Sequence, residues 1–563
     1  MAHINRLFKP LMKVSSMTML SRVLGFGRDI TLSGLLGAGP VMDAFLIAFR
    51  FPNIFRSLFA EGAFSAAFVP LFVSLRKKSK NKKNIAIMFA GGVAIKLFLF
   101  LLALTILVMI FMPNIMWLIA PGFRDVPNGL AMLVNFGRIS FPYLLAMSLA
   151  ALFAGILQSH GYFWRGSFAA SFLNISLITA IIFVVLVRGN YKQMMLDDRV
   201  GQVLCLAVIL SGIWQAWYLW RGVKKIYPDY VSKVKLKTLW QHNIGQIMQK
   251  KYPPQEKKLL KTMTPAMLGA GGQQMNALVG DMIATTIGMG SVTHLFYADR
   301  LIQLPLGVIG IALGIVLLQR FASAHHSSYQ NESRRMKKIQ PLLQQGLCLG
   351  LAFGLPPMLA LHFLSHNFIA FLFQRGAFDI SAVDSTALAL KIFALALPFY
   401  IINKVFQPYF YAKGDTKTPV RITLVSFFIN GGLAFFLAKT MAEAGIATAS
   451  LVAAAFVSLI FMTILFYHRI IPYSLSFWRP ILWLLVINIP LLVFYYFLSL
   501  QTIPPLQMLA TMPWGLSWGT PWLMVCLALL GTMVYYTPTM LLYQKYFHRR
   551  GGIGYKVIKK SVR

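Results

Sequence analysis

Acidic residues are scarce in this 563-residue chain: 15 Asp and Glu stand against 53 Lys and Arg, and charged residues of all kinds make up only 12%. That shortage excludes an ordinary soluble domain, whose surface needs charge of both signs. Cysteine is nearly missing as well. Cys205, Cys348 and Cys526 lie singly in apolar stretches with no pair at metal or redox spacing, which excludes a disulfide framework and a cysteine-based metal site. No metal and no cofactor is expected. Before Val14 no short apolar core ends in a small-residue cleavage site, so the first helix is expected to direct membrane insertion itself.

Apolar residues are what the chain has in abundance. They make up 58% of it, in runs of roughly 20 or more, the length that membrane-crossing helices require. The expected class is an all-α, multi-pass integral membrane protein. Polar breaks place helices near 14–38, 42–75, 85–112, 128–157, 167–188, 201–221, 260–288, 294–322, 340–365, 382–411, 419–440, 445–467, 479–500 and 521–543, about 14 spans. In a soluble chain the basic excess would point to nucleic acid. Here it concentrates in loops, at RKKSKNKK (76–83), the segment 222–261, RRMKK (334–338) and the tail after Gln544, so it reads as topology and no nucleic-acid partner is expected. By the positive-inside rule both termini and these loops are cytoplasmic.

A faint internal repeat divides the chain. Asp43 and Asp299, Pro142 and Pro398, and Asn174 and Asn430 are each 256 residues apart and fall in corresponding helices of two halves. The expected organisation is a six-helix lobe over 1–222, a basic cytoplasmic linker over 223–259 and a second six-helix lobe over 260–470. Two additional transmembrane helices over 471–545 and a basic cytoplasmic tail over 546–563 follow. Parallel repeats of this kind are expected to be pseudo-symmetric about a central cavity.

The few intramembrane charges are not scattered. Asp29, Asp43, Glu61, Asp281 and Asp299 lie in the first two helices of each half, together with Arg22, Arg28, Arg50, Arg56 and Arg300. Charges left facing lipid cost several kcal/mol each, so such residues turn toward a bundle interior or a wet cavity. On an ideal helix Arg22 and Asp29 share a face, while Arg28 points about 120° from Arg22. Gly25 and Gly27 between them allow a bend that brings both arginines to one cavity. The bland reading, that Arg28 and Asp29 merely pair to hold the bundle, stays open beside the sharper one. A surplus of positive charge in a cavity asks for an anion, and the planar, always-ionised fork of arginine suits phosphate. In the second span, Pro52 of RFPN frees a backbone carbonyl, and Asn53 stands next to it.

SSMTMLSRVLGFGRD, MDAFLIAFRFPNIFRSLFAEGAFSAAFVP, APGF (120–123), YADRLIQLPLGVIGIALG (297–314), LFQRGAF (372–378) and GDTKTPV (414–420) together resemble the MurJ (MviN) lipid II flippase family of bacteria. The resemblance runs in order through nearly the whole chain. It implies the fold of the multidrug/oligosaccharidyl-lipid/polysaccharide exporter superfamily. It also implies movement of undecaprenyl-diphosphate-linked disaccharide pentapeptide, lipid II, from the inner to the outer leaflet of the bacterial cytoplasmic (inner) membrane. Substrate-binding roles carry over onto Arg22, Arg28, Arg56 and Arg300, and the family's first-turn aspartate onto Asp43. Asp29, Asp43, Asn53, Glu61 and Asp299 are the expected supporting cavity residues. Some relatives bind a coupling cation through a seventh-span acid. Here that acid is offset, Gly280 then Asp281, and Ala434 stands where a second acid is expected, leaving Asp281 with Asn430 as the candidate pair. Gln319 replaces a proline frequent in relatives.

The expected partners are therefore lipid II, membrane lipids and, transiently, the peptidoglycan synthesis machinery, with a monomer as the working unit. The runner-up is a cation-coupled exporter of drugs or of another lipid-linked oligosaccharide. An enzyme acting on lipid-linked sugars is the third reading. It has only the adjacent Asp197 and Asp198 to offer, without a companion motif. His160, His294, His362 and His366 are read as polar groups at helix ends.

Overall fold

The computed structural model describes residues 2–59, 63–78, 82–188, 196–228, 274–326, 332–500, 524–528 and 530–535. Glu61, residues 229–259 of the expected linker and the expected tail lie outside the described residues. The described residues are helical, with no strand among them.

Contacts group the chain into two compact units, Met1–Thr293 with Arg375–Asp379, and His294–Gln374 with Ile380–Arg563. These bounds are a different division from the lobes drawn at 1–222 and 260–470, because residues 274–293 group with the first unit.

The first unit begins with α1 (Ala2–Leu36), α2 (Pro40–Phe59), α3 (Ala63–Lys78), α4 (Lys82–Ile110) and α5 (Met112–Ile119). A short 3₁₀ turn, Pro121–Arg124, precedes α6 (Gly129–Ser140), α7 (Tyr143–Ser159), α8 (Phe163–Ala169), α9 (Ser171–Arg188) and α10 (Asp198–Ile226). A helix over 274–285, α11, completes it. The break between α1 and α2 is written in GAGP. Gly37 takes a left-handed φ of 59°, its N–H returns to the Ser33 carbonyl at 2.9 Å, and Pro40 opens the next helix. At the start of α10, Asp197 accepts a hydrogen bond from the Arg199 N–H at 2.9 Å and Asp198 sits in the first turn. The one adjacent acid pair is thus a helix start.

The second unit holds the body of α12 (Ser291–Pro305), then α13 (Ile311–His326), α14 (Glu332–Phe363), α15 (Ser365–Phe373), α16 (Ile380–Ala412), α17 (Lys417–Tyr467), α18 (Leu475–Ile487) and α19 (Ile489–Ser499). A last helix, α20, runs over Met524–Tyr535. Between α12 and α13 the backbone widens into a π-helical turn, Leu306–Gly310. Pro305, which cannot donate to the preceding turn, stands at its entry. The 51-residue α17 is broken at Ala442, whose φ of 50° and ψ of −132° are not helical.

Among the described residues nine helical stretches are long and apolar enough to cross a membrane. The first two helices are not among them, because Arg22, Arg28 and Asp29 in α1, and Asp43, Arg50 and Arg56 in α2, dilute their apolar character. Large apolar side chains face outward on the spans, such as Leu186 on α9 (79% exposed) and Phe428 on α17 (72%). Surfaces of that kind are stable against lipid tails and costly against water. Inside the first unit, Phe68, Phe72, Phe89, Leu152 and Leu219 pack α3, α4, α7 and α10 together. Inside the second, Leu317, Phe321, Leu343, Phe406, Phe461 and Phe477 join α13, α14, α16, α17 and α18. The buried Asn403 is matched: it donates to the Ala454 carbonyl at 3.3 Å and accepts from the Ser458 hydroxyl at 2.9 Å.

Candidate functional site

The apolar run of α1 keeps Arg28 and Asp29 because they satisfy each other. Asp29 is fully buried and Arg28 is 8% exposed. The guanidinium wraps one carboxylate oxygen, with Nε at 2.9 Å and Nη2 at 2.5 Å from Asp29 Oδ1. Its third donor, Nη1, reaches Asn174 Oδ1 on α9 at 3.1 Å, and the Asn174 amide in turn donates to the Ser21 carbonyl at 2.9 Å. The fork of Arg28 is therefore held at three points, and its charge is balanced. Arg22 differs in every respect. It is exposed, and among the described residues it makes no hydrogen bond and no ion pair. Of the two arginines in the stretch 14–36, Arg22 is the one without such partners among the described residues.

On α2, Pro52 cannot donate to the Ala48 carbonyl four residues earlier. The Ser140 hydroxyl of α6 takes that carbonyl at 3.0 Å, in a buried position. Asn53 bridges the same region: its amide donates to the Phe49 carbonyl at 3.0 Å, and its oxygen accepts from Arg56 Nε at 2.9 Å. Arg56 is half-buried. Asp43, two turns before Arg50, is fully buried and spends its carboxylate on the backbone. It accepts from the Gly290 N–H at 2.6 Å, the Thr293 N–H at 2.9 Å and the Thr293 hydroxyl at 2.5 Å, which caps the start of α12. The carboxylate expected among the cavity residues is thus a tertiary helix cap.

Arg300 is half-buried on α12, and the preceding Asp299 is exposed and accepts a hydrogen bond from Gln303. Asp281 and Asn430, the candidate cation pair, have protein partners. The Asp281 carboxylate lies 2.8 Å from Arg50 Nε, and Asn430 Oδ1 accepts from the Ser450 hydroxyl at 3.4 Å. The residues 256 apart have unlike surroundings: Asp43 caps a helix while Asp299 is exposed, and Asn174 holds an arginine while Asn430 meets a serine.

Two cationic residues gain weight from the structure. Arg50 was recognisable as an intramembrane charge, but not as the partner of Asp281. Lys404, half-buried in the middle of α16, makes no hydrogen bond or ion pair among the described residues. Its stem packs beside the π-helical turn, where a Cβ added to Gly310 would meet Lys404 Cγ at 3.4 Å. The signal for it is a lysine in the middle of the apolar run 392–411. Elsewhere in the first unit the RGAF part of LFQRGAF, residues 375–378, folds back on α1. Ala377 N–H donates to the Gly34 carbonyl at 2.9 Å, and Gly376 adopts φ 57°. A Cβ there would lie 2.2 Å from the same oxygen, so the turn requires glycine. A cleft of about 550 Å³ between residues 121–126 and 285–289 contains none of the expected site residues. Among the described residues no group of three or more His, Cys, Asp or Glu side chains is placed to hold a metal ion.

Long apolar helices, a helix start capped from elsewhere in the chain and an arginine held by an amide define a polytopic membrane protein. Solved membrane transporters share its fold. A multidrug resistance MATE family transporter of the MOP superfamily, solved in an inward-facing conformation, superposes with a TM-score of 0.59 at 16% identity, covering 81% of this chain and 98% of that one. The structure of lipid II flippase MurJ in its inward closed conformation gives a TM-score of 0.70 at 23% identity, covering 95% of this chain and 99% of the other. The sequence model of the family described as lipid II flippase MurJ matches residues 32–543. A probable lipid II flippase MurJ from Rhizobium tropici is 35% identical over 447 residues, 79% of this chain and 78% of the relative. The chain belongs to the MurJ lipid II flippase family.

Proposed function

We propose that the protein carries lipid II from the inner to the outer leaflet of the bacterial cytoplasmic membrane by alternating access. The observation that carries this reading is Arg22. It is an exposed cation with no partner among the described residues, on the same helix as an arginine whose fork is already oriented. An undecaprenyl diphosphate supplies the anion that such a cation lacks, and a lipid tail suits a protein whose flanks are apolar. Arg22, Arg28 and Arg56 of the first unit, and Arg300 of the second, are the proposed diphosphate ligands. Asp29 and Asn53 act as positioning residues, since each bonds one of these arginines. Lys404 is a further candidate on the second unit. Asp43 supports the site through the start of α12, the helix that bears Arg300.

Both termini and the basic loops are placed in the cytoplasm on their charge, and the monomer is taken as the working unit. The test is complementation. In a bacterium depleted of its own lipid II flippase, expression of this chain should restore peptidoglycan synthesis and growth. Membrane accumulation of folded protein without restored synthesis would reject the reading and favour export of another substrate.

A further inference from the structure

Arg50 does more than lend one charge to an apolar helix. Its Nε lies 2.8 Å from Asp281 Oδ2, and its Nη1 donates to the Ala277 carbonyl at 3.2 Å. Ala277 and Asp281 are four residues apart on α11, so their oxygens project from one face, one turn from each other. The guanidinium fills the space between them. Asp281 is 6% exposed, and an ionised carboxylate so deep in an apolar span needs a counter-charge close by. A carboxylate oxygen and a backbone carbonyl, one helical turn apart, are also the ligand types that hard monovalent cations take.

We infer that Arg50 is a tethered counter-cation: it permanently occupies an oxygen-lined position at Asp281 and Ala277 that would otherwise take an alkali cation. Arginine is suited to this because it does not lose its proton and cannot diffuse away. The wild-type chain accordingly binds no sodium at Asp281, and removing Arg50 uncovers a latent sodium site. The same contact fastens α2 to α11. Arg50 and Asp43 are seven residues apart, hence on nearly one face of α2, and grip residues 277–281 and 290–293 respectively. The inference goes beyond the proposed transport of lipid II and does not rest on it, because its test reads stability alone.

The experiment is thermal unfolding of the purified full-length protein in detergent, in sodium chloride and in choline chloride of equal ionic strength. The wild type should show the same midpoint in both salts. Arg50→Gln should unfold at a lower temperature in choline and recover by about 2–4 °C in sodium. Arg50→Gln with Asp281→Asn should unfold above the single variant in choline and lose the sodium response. Should Arg50→Gln not accumulate, Arg50→Lys replaces it. Lysine keeps the charge but cannot bridge both oxygens, so a midpoint lowered in choline and raised again by Asp281→Asn is expected. A sodium-specific rise in the wild type that vanishes in Asp281→Asn would overturn the inference. So would a single variant that is indifferent to sodium, or one that the second substitution fails to rescue.

Discussion

Truncating Arg22 and Arg28 of α1 separates a proposed ligand whose loss leaves the fold intact from one that also holds the fold. Arg28→Ala strips the fully buried Asp29 of the guanidinium that wraps it and leaves the Asn174 side-chain oxygen without its donor from α1. Removing one member of a buried ion pair costs about 3–5 kcal/mol, because the survivor keeps its desolvation penalty without its attraction. At roughly 1.4 kcal/mol per factor of ten, the folded population relative to the unfolded falls about 10²- to 10³-fold or more. Arg22→Ala removes an exposed side chain with no partner among the described residues, and such changes fall within about ±0.5 kcal/mol. The expected result is therefore split. Arg28→Ala should reach the membrane in reduced amount and unfold at lower temperature, with Arg28→Ala plus Asp29→Asn recovering much of the loss. Arg22→Ala should accumulate and unfold as the wild type does while losing lipid II transport. The assay pairs unfolding midpoints of purified protein with transport per folded molecule in reconstituted vesicles. Arg22→Ala with full transport, or Arg28→Ala with undiminished stability, would refute the assignment of these two roles.

Asp43→Ala should leave the buried N–H groups of Gly290 and Thr293 unpaired, at about 1–3 kcal/mol for each, seen as a lowered unfolding midpoint. Asp43→Asn should recover only part, since its amide sets a donor against one of them. Ser140→Ala should strand the Ala48 carbonyl that Pro52 frees and cost about 1–3 kcal/mol, whereas Ser140→Ala combined with Pro52→Ala should cost less than the sum, measured as a double-mutant cycle in chemical unfolding. Asp415, just before α17, has its carboxyl held below the ordinary value by hydrogen bonds from the Thr418 hydroxyl and the Thr418 N–H. That lowered value makes its contribution present at neutral pH and lost as the pH falls through the folded-state value. Asp415→Asn should thus lower the unfolding midpoint near neutrality, with the difference from wild type closing in acid, followed by circular dichroism.

Most of the helical framework is legible in the sequence, because runs long enough to cross a bilayer and breaks such as GAGP are local signals. The charges were legible as a set and not as pairs. That Pro52 frees a carbonyl follows from proline alone; that Ser140 takes it does not, since the two strands of that contact lie 92 residues apart. Arg28 and Asp29 are neighbours in sequence, so their pairing was open to view, but the clasp by Asn174 was hidden by a separation of 146. Asp43 looked like a cavity group because it is acidic and intramembrane. Its oxygens instead answer the unpaired N–H groups of a helix start far along the chain, which no local pattern reports. Lys404 is hard to single out because it shares its long apolar helix with Lys391, although a charge in the middle of such a run is itself a signal. The 256-residue offset picks out equivalent places in the chain, and the packing around each place differs.

Movement of lipid II across the bilayer is read as headgroup accessibility in sealed vesicles that hold the purified protein and lipid II. With lipid II labelled on both leaflets and the outer label destroyed, protein-containing vesicles should go on to expose the inner pool, with and without an imposed membrane potential compared side by side. Vesicles holding Arg22→Ala should behave like protein-free ones. An inner pool that stays as protected in wild-type vesicles as in empty vesicles, under either condition, would contradict the account.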